Sequence, residues 1–133
     1  MSITTSDPPT QPLDRATIRV SSEAADIVSL YLCGEFDAFN APEIMAHAFR
    51  ALAADKHLVL DLSDSTFIDA SVIGALVTIQ DAASVRGRSA VLQLGTAPIV
   101  ERVVAITGIE QILPRTETRV DAIAQIRGLT AAA

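Results

Sequence analysis

The chain has 133 residues, of which 50% are hydrophobic and 4% aromatic, with a formal net charge of −6 and one cysteine, Cys33. That length suits one domain with its own core. The lone cysteine argues against a disulfide framework or thiolate metal cluster, and the acidic balance argues against gripping a nucleic-acid backbone. Arg86 and Arg88 come nearest to a basic patch, and two arginines near a helix end ordinarily complement its dipole. No apolar run approaches the roughly 20 residues of a membrane-crossing helix. The N-terminus lacks the basic start and apolar stretch of a secretory signal, so the chain is read as cytoplasmic, without membrane insertion.

Residues 1–12 are polar and proline-rich and read as a disordered leader, 13–128 as one domain, and 129–133 as a frayed tail. Leu13–Ser21 predicts a first strand with Ile18 and Val20 on one face. Asp26–Gly34 predicts a second, where Val28, Leu30 and Leu32 alternate with Ser29, Tyr31 and Cys33. The intervening Ser22-Glu23-Ala24-Ala25 implies an antiparallel hairpin. Asn40 reads as an N-cap with Pro42 just inside and Glu43 three residues on, opening a helix with the stripe Ile44, Met45, Ala48, Phe49 and Leu52.

His57–Leu62 is an apolar, buried type of strand that gives way to small polar residues. A helix from about Ser71 to Arg86 follows, with Val72, Leu76, Ile79 and Ala83 on one side and Gly87 at its stop. Ala90–Leu94 predicts a strand parallel to the previous one. Ala97–Thr107 predicts a helix with Ile99, Val100, Val103 and Val104 inward and Gly108 past its end. Leu113 marks a short edge element, and Arg119–Ile126 a last helix. The order β-β-α-β-α-β-α-α implies an α/β fold, one mixed sheet with helices packed on it.

The junction at Asp69-Ala70-Ser71 carries the functional signal. A strand there delivers a carboxylate and a hydroxyl to the start of a helix, where unpaired N–H groups and the helix dipole favour negative charge. Asp69 and Ser71 are both good N-caps, so one of the two is spare. Ser63, Ser65 and Thr66 are further hydroxyls, of the kind that turn chemistry also explains. Enzyme signatures are missing: His47 and His57 have no third ligand at metal spacing, Cys33 has no His partner near it in sequence, and no phosphate-binding glycine loop occurs. Asp61, Asp64 and Asp69 do not follow calcium-loop spacing. No cofactor is implied.

Three stretches carry a resemblance. Gly34-Glu35-Phe36-Asp37 followed by Asn40-Ala41-Pro42-Glu43-Ile44 resembles the first signature of STAS domains, the anti-sigma-factor antagonists of bacteria and their relatives. Leu60-Asp61-Leu62 through Phe67-Ile68-Asp69-Ala70-Ser71-Val72-Ile73-Gly74 resembles the second. Thr107-Gly108-Ile109 through Leu113-Pro114 resembles a third, weaker one. The three occur in order over about residues 13–127.

The resemblance implies a non-enzymatic regulator that binds an anti-sigma factor, usually a serine kinase, and so frees a sigma factor. It implies a contact surface comprising Asp37, Asn40, Asp69, Ala70, Ser71 and Val72. In the family the kinase phosphorylates the first hydroxyl residue after the Asp, which blocks binding. Here that position is Ala70, and the glycine that normally comes two residues later is Val72. Either Ser71 is the acceptor or no phosphorylation switch operates. The alternative is a STAS-type accessory subunit of a transport or signalling complex that never meets a kinase. An exposed apolar patch on the Ser71 helix would favour that alternative.

Overall fold

In the computed structural model, residues 16–95 and 98–132 are described. The expected leader lies outside them, as do the first residues of the expected first strand. A mixed six-stranded sheet forms the centre, with helices on both faces.

Strands β1 (Thr17–Ala24) and β2 (Ile27–Phe36) form the antiparallel hairpin, with Thr17 opposite Cys33 and Ser22 opposite Val28. The turn falls at Ala25-Asp26, later than Ser22–Ala25, because β1 continues past a register irregularity between Ser22 and Ala24. Helix α1 (Ala41–Ala53) then crosses over to β3 (His57–Asp61), which runs parallel to β2. Helix α2 (Ala70–Val85) leads to β5 (Ala90–Gln93), parallel to β3, and α3 (Pro98–Thr107) leads through a 3-10 turn at Ile109–Gln111 to β6 (Arg115–Thr116). The chain returns through α4 (Arg119–Ala132), so the segment expected to fray from 129 is helical backbone through 132.

Sequence reading did not anticipate strand β4 (Ser65–Ile68). The ten-residue β2 outlasts β3: its first half pairs with β3, and its last residues pair with β4, as Glu35↔Phe67 and Phe36↔Ile68. Gly34 sits at the changeover with φ 105°, a left-handed value that favours glycine, and its N–H donates to Asp64 at 3.1 Å. Ser65 is 1% exposed because its Oγ donates to the Leu32 carbonyl at 2.6 Å. The Tyr31 hydroxyl ties down the loop between β3 and β4 by donating to Asp64, which pushes the phenol well above its usual range.

The alternation in β2 sends Val28, Leu30 and Leu32 to one face, where they meet Leu58, Leu60, Ile44, Leu52, Leu76, Ile79 and Val104. Of the stripe expected on α1, Ile44, Ala48 and Leu52 are buried, whereas Phe49 is exposed. All four residues expected inward on α2 are buried, as is Val104 on α3; the side chains of Ile99 and Val100 lie outside the described set. The second face carries Ile27, Val59 and Val91 beneath Ala122 and Ile126 of α4. At roughly 1.5–3 kcal/mol for each large aliphatic side chain removed from water, the first face supplies most of the burial.

Candidate functional site

Phe36 of β2 and Ile68 of β4 are paired, so the next residues, Asp37 and Asp69, leave the sheet side by side at its carboxyl edge. Asp37 begins the loop that leads into α1, and Asp69 opens α2 directly. Asp69 is the N-cap of α2: its Oδ1 accepts the backbone N–H groups of Ser71 at 2.9 Å and Val72 at 3.2 Å. A carboxylate cap of this kind meets both the orphan donors and the helix dipole, and contributes on the order of 1 kcal/mol.

Asp69 therefore supplies the cap, and the Ser71 hydroxyl is left for other use. Ala70 and Ser71 are exposed in the first turn, whereas Asp69 is half-buried. Val72 is 0% exposed and packs among the core residues of the α1–α2 face. It is a core residue, which corrects its assignment to the contact surface: the second residue beyond the cap's neighbour already points inward, as the α2 stripe demands.

The Asp37–Asn40 loop is built from its own side chains. Asp37 Oδ1 accepts the Phe39 N–H at 2.9 Å, and Asn40 Oδ1 accepts the Asp37 N–H at 2.8 Å. Asn40 also donates through Nδ2 to the Glu35 carbonyl at 3.4 Å. Asn40 occupies the N-cap position of α1 but makes no side-chain cap bond. Its amide faces back into the loop, so it shapes the loop and leaves the helix start to Pro42 and the backbone bonds to Asp37 and Asn40.

Two aromatic residues that sequence reading passed over border this edge. Phe39 is 92% exposed inside the loop, and Phe67 is 44% exposed in β4, paired with exposed Glu35. The sequence signal for Phe39 was its position between an Asp and an Asn in a turn, with no apolar partner at strand or helix spacing. The outward positions over the first three turns of α2 read Ser71, Gly74, Thr78 and Asp81, with exposed Val85 at the far end of the helix, and Thr78 Oγ1 donates back to the Gly74 carbonyl at 3.0 Å.

The other candidate groups lie elsewhere or are committed. Ser65 is sealed by its bond to Leu32, and Ser63 Oγ donates to Asp61 Oδ1 at 2.6 Å. Buried His57 sits inside β3, at its start, where its Nδ1 accepts the Ser89 N–H at 3.0 Å. His47 stands one turn from Glu43 on α1, at 4.0 Å. Among the described residues no three His, Cys, Asp or Glu side chains are grouped to hold a metal ion, and no helix is long and apolar enough to cross a membrane.

Comparison with known proteins bears on this arrangement. The model of the STAS domain family matches residues 19–123, which include both helix-opening loops and the sheet between them. The chain belongs to the STAS family. A STAS-domain containing protein of Pseudomonas aeruginosa (strain UCBPP-PA14) is 30% identical over 87 residues, covering 64% of this chain and 83% of that one. Among solved structures, an anti-sigma factor antagonist from Mycobacterium paratuberculosis superposes with a TM-score of 0.72 at 23% identity, covering 86% of this chain and 96% of that one. The anti-sigma factor antagonist SpoIIAA in its unphosphorylated form also gives a TM-score of 0.72, at 19% identity, with 84% and 97% covered. At these identities the two structures establish the shared STAS fold.

Proposed function

We propose that this STAS domain is a non-enzymatic regulator that binds an anti-sigma factor of the serine-kinase type and thereby frees a sigma factor. One observation carries the reading: Phe39 is 92% exposed in a loop beside the Ser71 end of α2. A large aromatic held out in water, in a loop braced by its own hydrogen bonds, suits the anchor residue of a protein interface. The fold shared with anti-sigma factor antagonists supports the same partner class.

The proposed contact surface comprises Asp37, Phe39 and Asn40 from the first loop and Asp69, Ala70 and Ser71 from the second. Within this reading Ser71 is the proposed phosphorylation acceptor, since Asp69 already supplies the cap and the hydroxyl is exposed. A phosphate there adds about −1.5 to −2 charges next to Asp69 and close to Asp37. Like-charge repulsion and desolvation would then oppose an interface that tolerates the uncharged serine. The accessory-subunit alternative called for an exposed apolar patch on α2, and that helix offers a single exposed large aliphatic residue, Val85 at its far end, beside an otherwise small and polar outward face.

Titration of the chain with cognate anti-sigma factors tests the reading. Saturable binding, weakened about tenfold or more by Phe39→Ala, is the expected result; no binding to any of them removes the proposal. Incubation with such a kinase and ATP, followed by mass spectrometry, tests the acceptor. Phosphate on Ser71 is expected, and an unmodified chain removes the switch while leaving the binding surface intact.

A further inference from the structure

The opposite face of the sheet holds a groove with no part in that surface. Helix α4 packs on this face where Ile27, Val59 and Val91 meet Ala122 and Ile126. Farther along, Arg19 is paired with Tyr31 and Tyr31 with Asp61, so the three form one row across β1, β2 and β3. Directly paired residues share a face, and two strand spacings separate the Arg19 and Asp61 backbones by about 10 Å. Together with Glu23, Ser29 and Arg119 the row lines a groove of about 380 Å³. That volume lies within the range of small-ligand sites.

Three features of the lining leave hydrogen-bonding or charge capacity unused among the described residues. Ser29 is 5% exposed, yet its Oγ has no hydrogen-bond partner among the described residues. Buried hydroxyls are nearly always bonded. Arg19 stacks over the Tyr31 ring, 5.7 Å from its centroid, and makes no ion pair among the described residues. Asp61 receives both bonds from Ser63, at 2.9 and 2.6 Å, on Oδ1, so Oδ2 keeps its accepting capacity.

Charge decides the class of ligand. Arg119 lies 3.5 Å from Glu23 and is balanced by it, which leaves Arg19 and Asp61 as an unpaired cation and anion on either side of an aromatic ring. A simple anion attracted by Arg19 also meets Asp61 and Glu23, and a simple cation meets two arginines. A molecule with both charges satisfies both ends. Arg19 reaches over Tyr31 towards Asp61, which shortens the gap to one that a small molecule spans.

We propose that this groove binds a small zwitterion of the α-amino-acid class. Its carboxylate lies at Arg19 and its ammonium at Asp61, within reach of the Ser29 hydroxyl. Calorimetric titration of the whole chain with the proteinogenic amino acids, one at a time, tests this, with acetate and methylammonium as single-charge probes. Saturable binding of at least one amino acid is expected, with neither single-charge probe binding at the same concentration. Asp61→Asn, which keeps the oxygen that accepts from Ser63, is expected to weaken binding about tenfold or more, as are Arg19→Gln and Ser29→Ala. Thermal unfolding of each variant verifies that it folds, and Ser29→Ala removes only an unbonded hydroxyl. No saturable binding by any amino acid overturns the proposal. So does acetate binding as tight as the best amino acid, or unchanged affinity in the folded Arg19→Gln and Asp61→Asn proteins.

Discussion

Arg127 grips Asp26 through two hydrogen bonds, of 2.7 and 2.8 Å, joining α4 to the β1–β2 turn across 101 residues of chain. The bidentate geometry is the strong form of this pair. It lowers the Asp26 carboxyl from 3.8 to about 2, with the Arg127 hydrogen bond as the largest cause. A carboxyl depressed on folding contributes stability above its unfolded value, and that contribution is lost as pH falls through the folded one. Comparison of wild type with Asp26→Asn by thermal unfolding checks this. The wild type is expected to be the more stable near pH 6, with the gap closing between about pH 4 and pH 2 and shrinking in high salt.

His57 acts on the same acid side of the pH profile, at a higher pH. Burial is the main cause that holds its imidazole below the ordinary 6.5, with Arg88 and Arg127 acting in the same sense and Asp26 against it. The neutral ring accepts the Ser89 N–H on Nδ1, a bond that protonation there destroys. A depressed histidine gives its full stability above about 6.5, and the stability falls as pH drops below that value. The unfolding midpoint is expected to decline below about pH 6.5 in wild type, and His57→Gln to flatten that decline. An unchanged slope in the variant would remove His57 as the cause.

Asn40 braces the Asp37 loop from both sides, through bonds to the Asp37 N–H and the Glu35 carbonyl. Asn40→Ala is expected to cost about 1 kcal/mol in urea unfolding and to weaken partner binding by loosening the loop that carries Phe39. Loss of binding with no loss of stability would show instead that Asn40 contacts the partner directly.

Gly95 has φ 62°, and a Cβ placed on it would lie 2.8 Å from the Ser63 Cβ. Gly95→Ala thus combines a left-handed backbone with a steric overlap and is expected to destabilise by about 1–3 kcal/mol. A denaturation midpoint equal to wild type would mean that the β3–β4 loop yields without strain.

Val72 and Ser71 are neighbours with opposite fates. Val72→Ala empties part of the core and is expected to cost about 1–3 kcal/mol, whereas Ser71→Ala is expected to change stability by less than about 0.5 kcal/mol. Equilibrium unfolding of the two variants checks the contrast, and equal losses would mean that Ser71 also serves the fold.

Legibility varied with how local the cause was. The alternation of Val28, Leu30 and Leu32, the apolar run Leu58–Leu60 and the α2 stripe announced their own burial, because strand and helix periods are written along one segment. The helix start was legible to within the Asp69–Ser71 junction, and the choice of Asp69 as the cap came from the structure. The four residues of β4 have no period to read: Ser65 is buried by a bond to Leu32, and Phe67 is exposed beside Glu35. Val72 was read by motif position as a contact and is held by the core instead.

Composition and period thus determined the order of the four helices and of β1, β2, β3 and β5, and with it the mixed α/β architecture, since each follows from the chain's immediate neighbours. Return of distant segments decided the rest. The β2–β4 pairing brings Asp37 beside Asp69, α4 covers only part of the second face and leaves the Arg19–Tyr31–Asp61 row open, and Asp26 meets Arg127. Those relations depend on register and on which face a helix covers, quantities that emerge only when the whole sheet is assembled.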